Sequence, residues 1–186
     1  MKTNLILLAA VLVALLSACN KEKASPEEQA VSSFLADSTT RIGRGRYTNI
    51  EMGYRFYASR PGRITKVGTR LPEAGTYTVS LWDSDTQMLL AQETVEQAVA
   101  NGLTLKNIPP LAVEPNKKYV ISVFYGAEPK AAHVIGSKGP TAMLPFTKGS
   151  LTVVNAQFVN TRASVFPLLN YNVVIYGYPE LAFVAD

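Results

Sequence analysis

The sequence is short of the residues that usually staple or arm a small protein. It has one cysteine, Cys19, so no intramolecular disulfide can form. It has one histidine, His133, and a single Cys with a single His cannot build a structural zinc site. No Gly-x-Ser-x-Gly element or other nucleophile–base–orienter set is present, so no catalytic residue is expected. Nothing reads as a cofactor-binding motif, and no cofactor is expected either. Charge of one sign is not in excess: the formal net charge is +4, too mild for a nucleic-acid partner. Long hydrophobic runs are also missing, since the longest spans Leu5 to Leu16, and a membrane-crossing helix needs about 20 apolar residues.

What is present begins with that short run. Met1-Lys2 followed by LILLAAVLVALL has the length of a signal-peptide core, about 7–15 residues, and small residues follow at Ser17 and Ala18. Leu16-Ser17-Ala18-Cys19 resembles the lipobox of bacterial lipoproteins, in which a diacylglycerol thioether forms on the cysteine before cleavage just ahead of it. The resemblance implies a membrane anchor at Cys19. Each buried methylene contributes about 0.8 kcal/mol, so two or three acyl chains on one residue give lasting attachment. Asn20 stands where many Gram-negative lipoproteins carry the Asp that retains them at the inner membrane. By resemblance the protein is expected at the outer membrane, on its periplasmic or its surface-exposed face.

Three segments are expected: a signal peptide over 1–18, a lipidated N-terminus and tether over 19–46, and a folded body over 47–186. In the tether, Ser25-Pro26-Glu27-Glu28 predicts a helix start, with Ser25 as N-cap and Glu28 completing a capping box. Val31, Phe34 and Leu35 then fall on one helical face, giving a short helix near 26–36.

The body changes period. Tyr77, Val79 and Leu81 alternate with Thr76, Thr78, Ser80 and Trp82, and Tyr119, Ile121, Val123 and Tyr125 line one face of a second strand. Further strands are expected at 50–58, 62–71, 87–95, 102–107, 150–159 and 171–178, separated by turn signals such as Arg60-Pro61-Gly62 and Glu114-Pro115-Asn116. Residues 96–101 could instead form one helical turn. Many short strands without long helical periods predict an all-β, antiparallel two-sheet sandwich, jelly-roll or Ig-like. With 47% hydrophobic and 17% charged residues, such a chain can form a core without disulfides.

A second resemblance rests on Met52-Gly-Tyr-Arg-Phe56, Pro61-Gly-Arg-Ile-Thr65, Gly75-Thr-Tyr-Thr-Val-Ser-Leu-Trp82, Leu111-Ala-Val-Glu-Pro115 and Tyr119-Val-Ile-Ser122. Their order over residues 46–126 resembles DUF4082, a bacterial extracellular domain of unknown function often found beside glycoside hydrolases and Ig-like modules. The chain departs from that pattern at Gly102-Leu103, where the family usually has Gly-Trp. The resemblance implies a jelly-roll-like sandwich in an extracytoplasmic setting and supplies no catalytic residue.

Few residues remain as binding candidates. Trp82 sits on the Thr-rich face of its strand, beside Asp83. It is either an inter-sheet plug or a ring that stacks on sugars, and Tyr171, Tyr176 and Tyr178 could join such a platform. Asp83 and Asp85 are a hairpin turn or oxygen ligands for calcium. Eight cations, Arg41 to Arg70, face only Glu51 in that stretch, which suits an anionic envelope polymer or simply a solvated face. The expected function is a lipid-anchored, non-enzymatic binding module with carbohydrate as the leading ligand class. The alternatives are an assembly lipoprotein contacting an envelope protein and a hydrolase accessory domain.

Overall fold

The computed structural model describes residues 25–35, 40–138 and 143–186, so the signal segment and Cys19 lie outside the described residues. One helix, α1 (Ala30–Leu35), precedes thirteen strands among the described residues. These are β1 (Thr40–Tyr47), β2 (Ile50–Ala58), β3 (Gly62–Thr69), β4 (Gly75–Asp83), β5 (Leu89–Gln97), β6 (Thr104–Val113), β7 (Lys118–Tyr125) and β8 (Lys130–Ser137). They continue with β9 (Phe146–Lys148), β10 (Leu151–Asn160), β11 (Leu169–Tyr171), β12 (Val174–Tyr176) and β13 (Pro179–Ala185).

Every pairing is antiparallel. A seven-stranded sheet runs β11-β10-β2-β7-β4-β5, with β9 also on β10, and two three-stranded sheets run β13-β3-β6 and β1-β8-β12. The small sheets pack on the large one, as an all-β sandwich. Alternation decides which side chains fill it. Met52, Tyr54 and Phe56 of β2, Tyr77, Val79 and Leu81 of β4, and Ile121, Val123 and Tyr125 of β7 join Ile64, Leu181, Phe183, Ile135 and Ile175 in one core.

Several segments differ from the sequence reading, each for a local reason. Residues 40–46, read as tether, form β1 together with Tyr47 and pair along their whole length with β8. The helix begins at Ala30 because the Glu28 backbone is recruited by β13, donating to and accepting from Phe183 at 2.7 and 2.9 Å. Its first turn is capped by Glu180, whose carboxylate accepts from the Val31 and Ser32 amides, rather than by Ser25. Strand β6 runs on through Pro109 and Pro110, which an edge strand tolerates because its outer amides need no ladder partner. Residues 96–101 form no helix. The buried Gln97 side chain instead bonds the backbone of Leu71, Glu73 and Val99, and Asn101 adopts a left-handed φ of 61°. The expected strand 171–178 is broken after Tyr176 by Gly177, at a φ of 70°.

Gly53 sits where β2 and β7 come closest. A Cβ there would lie 2.0 Å from the Ile121 carbonyl oxygen and 2.6 Å from Ser122 Cα, both backbone atoms that cannot step aside. At Gly43 on β1 a Cβ would meet only ordinary contacts at 3.6 Å and beyond. Chemical denaturation should therefore show Gly53→Ala losing about 3 kcal/mol, at the upper end of overpacking costs, while Gly43→Ala stays within about 0.5 kcal/mol of the parent. Equal losses at the two positions would refute this account.

Candidate functional site

One concavity lies where β1, β2, β10 and β12 converge. Tyr47, Ile50, Met52, Phe158 and Tyr176 line a cleft of about 190 Å³. Ladder register assembles it: Phe158 is the cross-strand partner of Met52, and Tyr176 pairs with Val134 of β8, the strand that also holds β1. Tyr47 can fold back because Gly45 is bare; a Cβ there would come 2.6 Å from its hydroxyl oxygen. Tyr176 is the hub, meeting Tyr47 at a centroid distance of 6.3 Å and Phe158 at 6.0 Å, both edge-on. Tyr171 meets it at 6.2 Å with planes tilted by 32°, and is itself 43% exposed. Burial, then the neighbouring phenol, raises the Tyr47 and Tyr176 hydroxyls above their ordinary value. They therefore stay neutral and can both donate and accept. An aromatic wall with a few neutral hydroxyls can stack on a flat apolar face and hydrogen-bond its edges.

The other sequence candidates go elsewhere. Tyr178 is fully buried and packs edge-on against His133 at 4.6 Å, so it belongs to the interior and not to a platform. Trp82 is also buried: its indole N–H donates to Ser122 Oγ at 2.9 Å, and its ring meets Phe166 edge-on. It offers no face to solvent, because the segment 161–168 lies across that side of the sheet. Asp83 accepts from the Asp85 and Thr86 amides and pairs with Lys117 at 3.1 Å, which is hairpin-turn chemistry. The Thr86 amide above all holds its carboxyl down at about 2. Asp85 is exposed in the same turn. Among the described residues no three His, Cys, Asp or Glu side chains come together as a metal site. His133 is buried, and desolvation, with Arg44 and Arg70 nearby, pushes it down to about 4. Four of the eight cations of 41–70 are paired: Arg46 with Glu73, Arg60 with Glu28, Arg63 with Asp186 and Lys66 with Glu27.

Sequence reasoning missed a polar layer on the outer face of the large sheet. Gln157, Gly53, Ser122, Ser80 and Gln92 stand in one cross-strand row over five strands. Ser164 from the covering segment bonds Ser80 at 3.0 Å, and Gln92 donates to both hydroxyls. Glu51 lies one position along β2, fully buried, and its Oε1 accepts from the Ser122 hydroxyl. Burial pushes its carboxyl up to about 7, although Ser122, Ser164 and the Val165 amide favour the charged form. Among the described residues Glu51 Oε2, Arg55 Nε and Gln157 Oε1 are buried without a hydrogen-bond partner. The only signal in the sequence was an acid placed in a strand between apolar residues, Ile50-Glu51-Met52.

A family model described as a domain of unknown function, DUF4082, matches residues 36–177. The match takes in β1 and every residue of the aromatic cleft, and stops short of β13. No curated protein matches the chain.

Glu51 makes a pH-dependent contribution to stability. Its folded pKa of about 7 lies above the ordinary 4.5, so the contribution is present below pH 4.5 and is lost as pH rises through 7. His133 works with the opposite sign, its contribution being present above 6.5 and lost as pH falls through 4. Relative to the parent, Glu51→Gln should gain up to about 3 kcal/mol between pH 4.5 and pH 8 in urea titrations. A pH-independent difference between the two proteins would show that Glu51 is not held in this way.

Proposed function

The chain belongs to the DUF4082 family, whose description assigns no activity, and from its own residues we propose a lipid-anchored, non-enzymatic envelope module that binds carbohydrate in the aromatic cleft. The observation that carries the proposal is the cleft itself, with Tyr47, Phe158 and Tyr176 around it and the exposed ring of Tyr171 at its rim. The lining contains no carboxylate, imidazole or thiol. It can bind and orient a ring, but at neutral pH it has nothing to move a proton.

Placement supports the same reading. Strand β2 runs from the cleft at Ile50 to Ala58, about 27 Å at 3.3–3.4 Å per residue. At the Ala58 end, Glu28 is fixed to β13 and its carboxylate accepts from the Ser150 amide. Cys19 lies six residues before Ser25, a reach of at most roughly 20 Å. An acylated Cys19 would thus hold the Ala58 end towards the membrane and turn the cleft away from it, towards soluble or polymeric ligands.

A second reading has one observation of its own. Leu168, Leu169 and Val173 are 58%, 52% and 49% exposed beside Tyr171, an apolar strip of the kind that protein partners cover.

Glycan arrays and polysaccharide pull-downs on the purified full chain should give binding that Tyr176→Ala and Tyr171→Ala each weaken about five- to tenfold, the value of one aromatic contact. Silence across plant, host and bacterial glycans would remove carbohydrate as the ligand. Recovery of a co-purifying envelope protein, lost in Leu169→Glu, would then install the partner reading. For the anchor, Cys19→Ser should leave the protein unprocessed or move it to the soluble fraction. An unchanged membrane fraction for that variant would refute lipidation.

A further inference from the structure

A second concavity lies on the other side of the sheet, at the same end of the molecule. Thr76, Thr78, Phe124, Gly126, Glu128 and Lys130 are the main lining of an open groove of about 250 Å³. Phe124 is half-buried and held in register between Glu51 and Thr78, so its ring has a fixed place on the groove floor. Lys130 donates to the Thr76 carbonyl at 2.9 Å and sits over the Tyr77 ring at 4.4 Å, which fixes its ammonium at the wall. Among the described residues Glu128 has no ion-pair partner, and neither threonine hydroxyl has a hydrogen-bond partner. One carboxylate, one ammonium and two hydroxyls around a ring are acceptors and donors in balance, with no net charge. A neutral polyol with one apolar face meets that arrangement, whereas an anion or a cation would leave one charge opposed.

The groove and the aromatic cleft are neighbours. Tyr47 and Ile50 line the cleft, and the two residues between them are tied to the groove wall. Thr48 Oγ1 donates to the Gly126 and Ala127 carbonyls at 3.1 and 2.6 Å, and the Asn49 amide donates to Gly126 at 2.8 Å. This rim joins the edges of the two concavities at the end of the sheet. We infer that the groove of Thr76, Thr78, Phe124, Glu128 and Lys130 is a second sugar subsite, and that the ligand is an oligosaccharide passing over the Thr48–Asn49 rim. The inference rests on the carbohydrate reading of the cleft and adds the ligand's length.

Two joined subsites make affinity depend on chain length, because the second contact becomes intramolecular. Calorimetry with the full chain, using the monosaccharide, trisaccharide and hexasaccharide of whichever glycan the array identifies, reads this directly. Affinity should rise about 10²-fold from the shortest to the longest probe. The surface pair Thr76→Val with Glu128→Gln should flatten that rise and leave monosaccharide affinity within about twofold, since neither residue touches the cleft. Thr78→Val should act in the same direction. A wild-type affinity independent of length, or a rise that survives these substitutions, overturns the second subsite while leaving the cleft intact. A five- to tenfold weakening at every length in Tyr176→Ala, with Thr76→Val and Glu128→Gln acting only on the longer probes, supports both.

Discussion

Strand β2 is buried on both faces over its first half, from Ile50 to Tyr54, and most of what is unusual in this sandwich follows from that. Its inner face is ordinary, with Met52, Tyr54 and Phe56 fully buried. Its outer face carries Glu51 and Gly53 under a covering segment, where water cannot solvate the carboxylate and buried polar groups need partners from the chain, while Arg55 further along is half-buried. Ser122 and Trp82 supply one hydrogen-bonded set around Glu51, and Ser80, Gln92 and Ser164 form a second beside it. Charge in such a place is expensive, which is why the Glu51 carboxyl is pushed towards its neutral form. The covering segment is fixed by this face through Ser164 and Phe166, and it continues directly into β11. Tyr171, the exposed ring of the cleft, is the last residue of that strand. The position of the proposed ligand site is thus set partly by a polar network on the opposite side of the sheet.

Legibility in the sequence tracked periodicity. Strands β4 and β7 could be read almost to the residue, because each alternates strictly and ends at a turn signal. Strand β1, Thr-Arg-Ile-Gly-Arg-Gly-Arg-Tyr, has two glycines and three arginines and resembles a spacer, so Tyr47 was never a site candidate. Strand β8, Lys-Ala-Ala-His-Val-Ile-Gly-Ser, has only Val134 and Ile135 as strong strand formers and is held by pairing with β1 and β12. Trp82 was ambiguous for a sound reason. Alternation places it on the polar face, and what buries it is an irregular segment some eighty residues later that has no period to detect. Tyr176 and Tyr178 share a parity and should face the same way along a strand. The left-handed Gly177 between them breaks that rule, leaving Tyr176 at the cleft and sending Tyr178 inside.

The N-terminal segment shows how a sequence can suggest the right local structure for the wrong reason. Ser25-Pro26-Glu27-Glu28 is a sound helix start by local rules, yet none of its side chains caps α1. Glu28 is taken by the sheet edge at Phe183 and the turn at Ser150, and a carboxylate from β13 does the capping. Burial raises the Glu180 pKa, so this cap is a strained arrangement that the surrounding packing sustains. Long-range partners, more than 120 residues away in sequence, outweigh local propensity here because they satisfy buried groups that would otherwise have none.

That docking has a geometric consequence for any ligand. A free tether would let the sandwich tumble and present any face. With Glu28 held at the Ala58 end of β2, the described N-terminal residues and the cleft lie at opposite ends of that strand. The cleft and the neighbouring groove both lie at the opposite end, joined through residues 47–50 and 125–127. Two concavities of different chemistry, one aromatic and one polar, therefore meet at the end of β2 away from Glu28, the end that the proposed anchor would leave free. A ligand large enough to use both must be extended, and it must approach from that side.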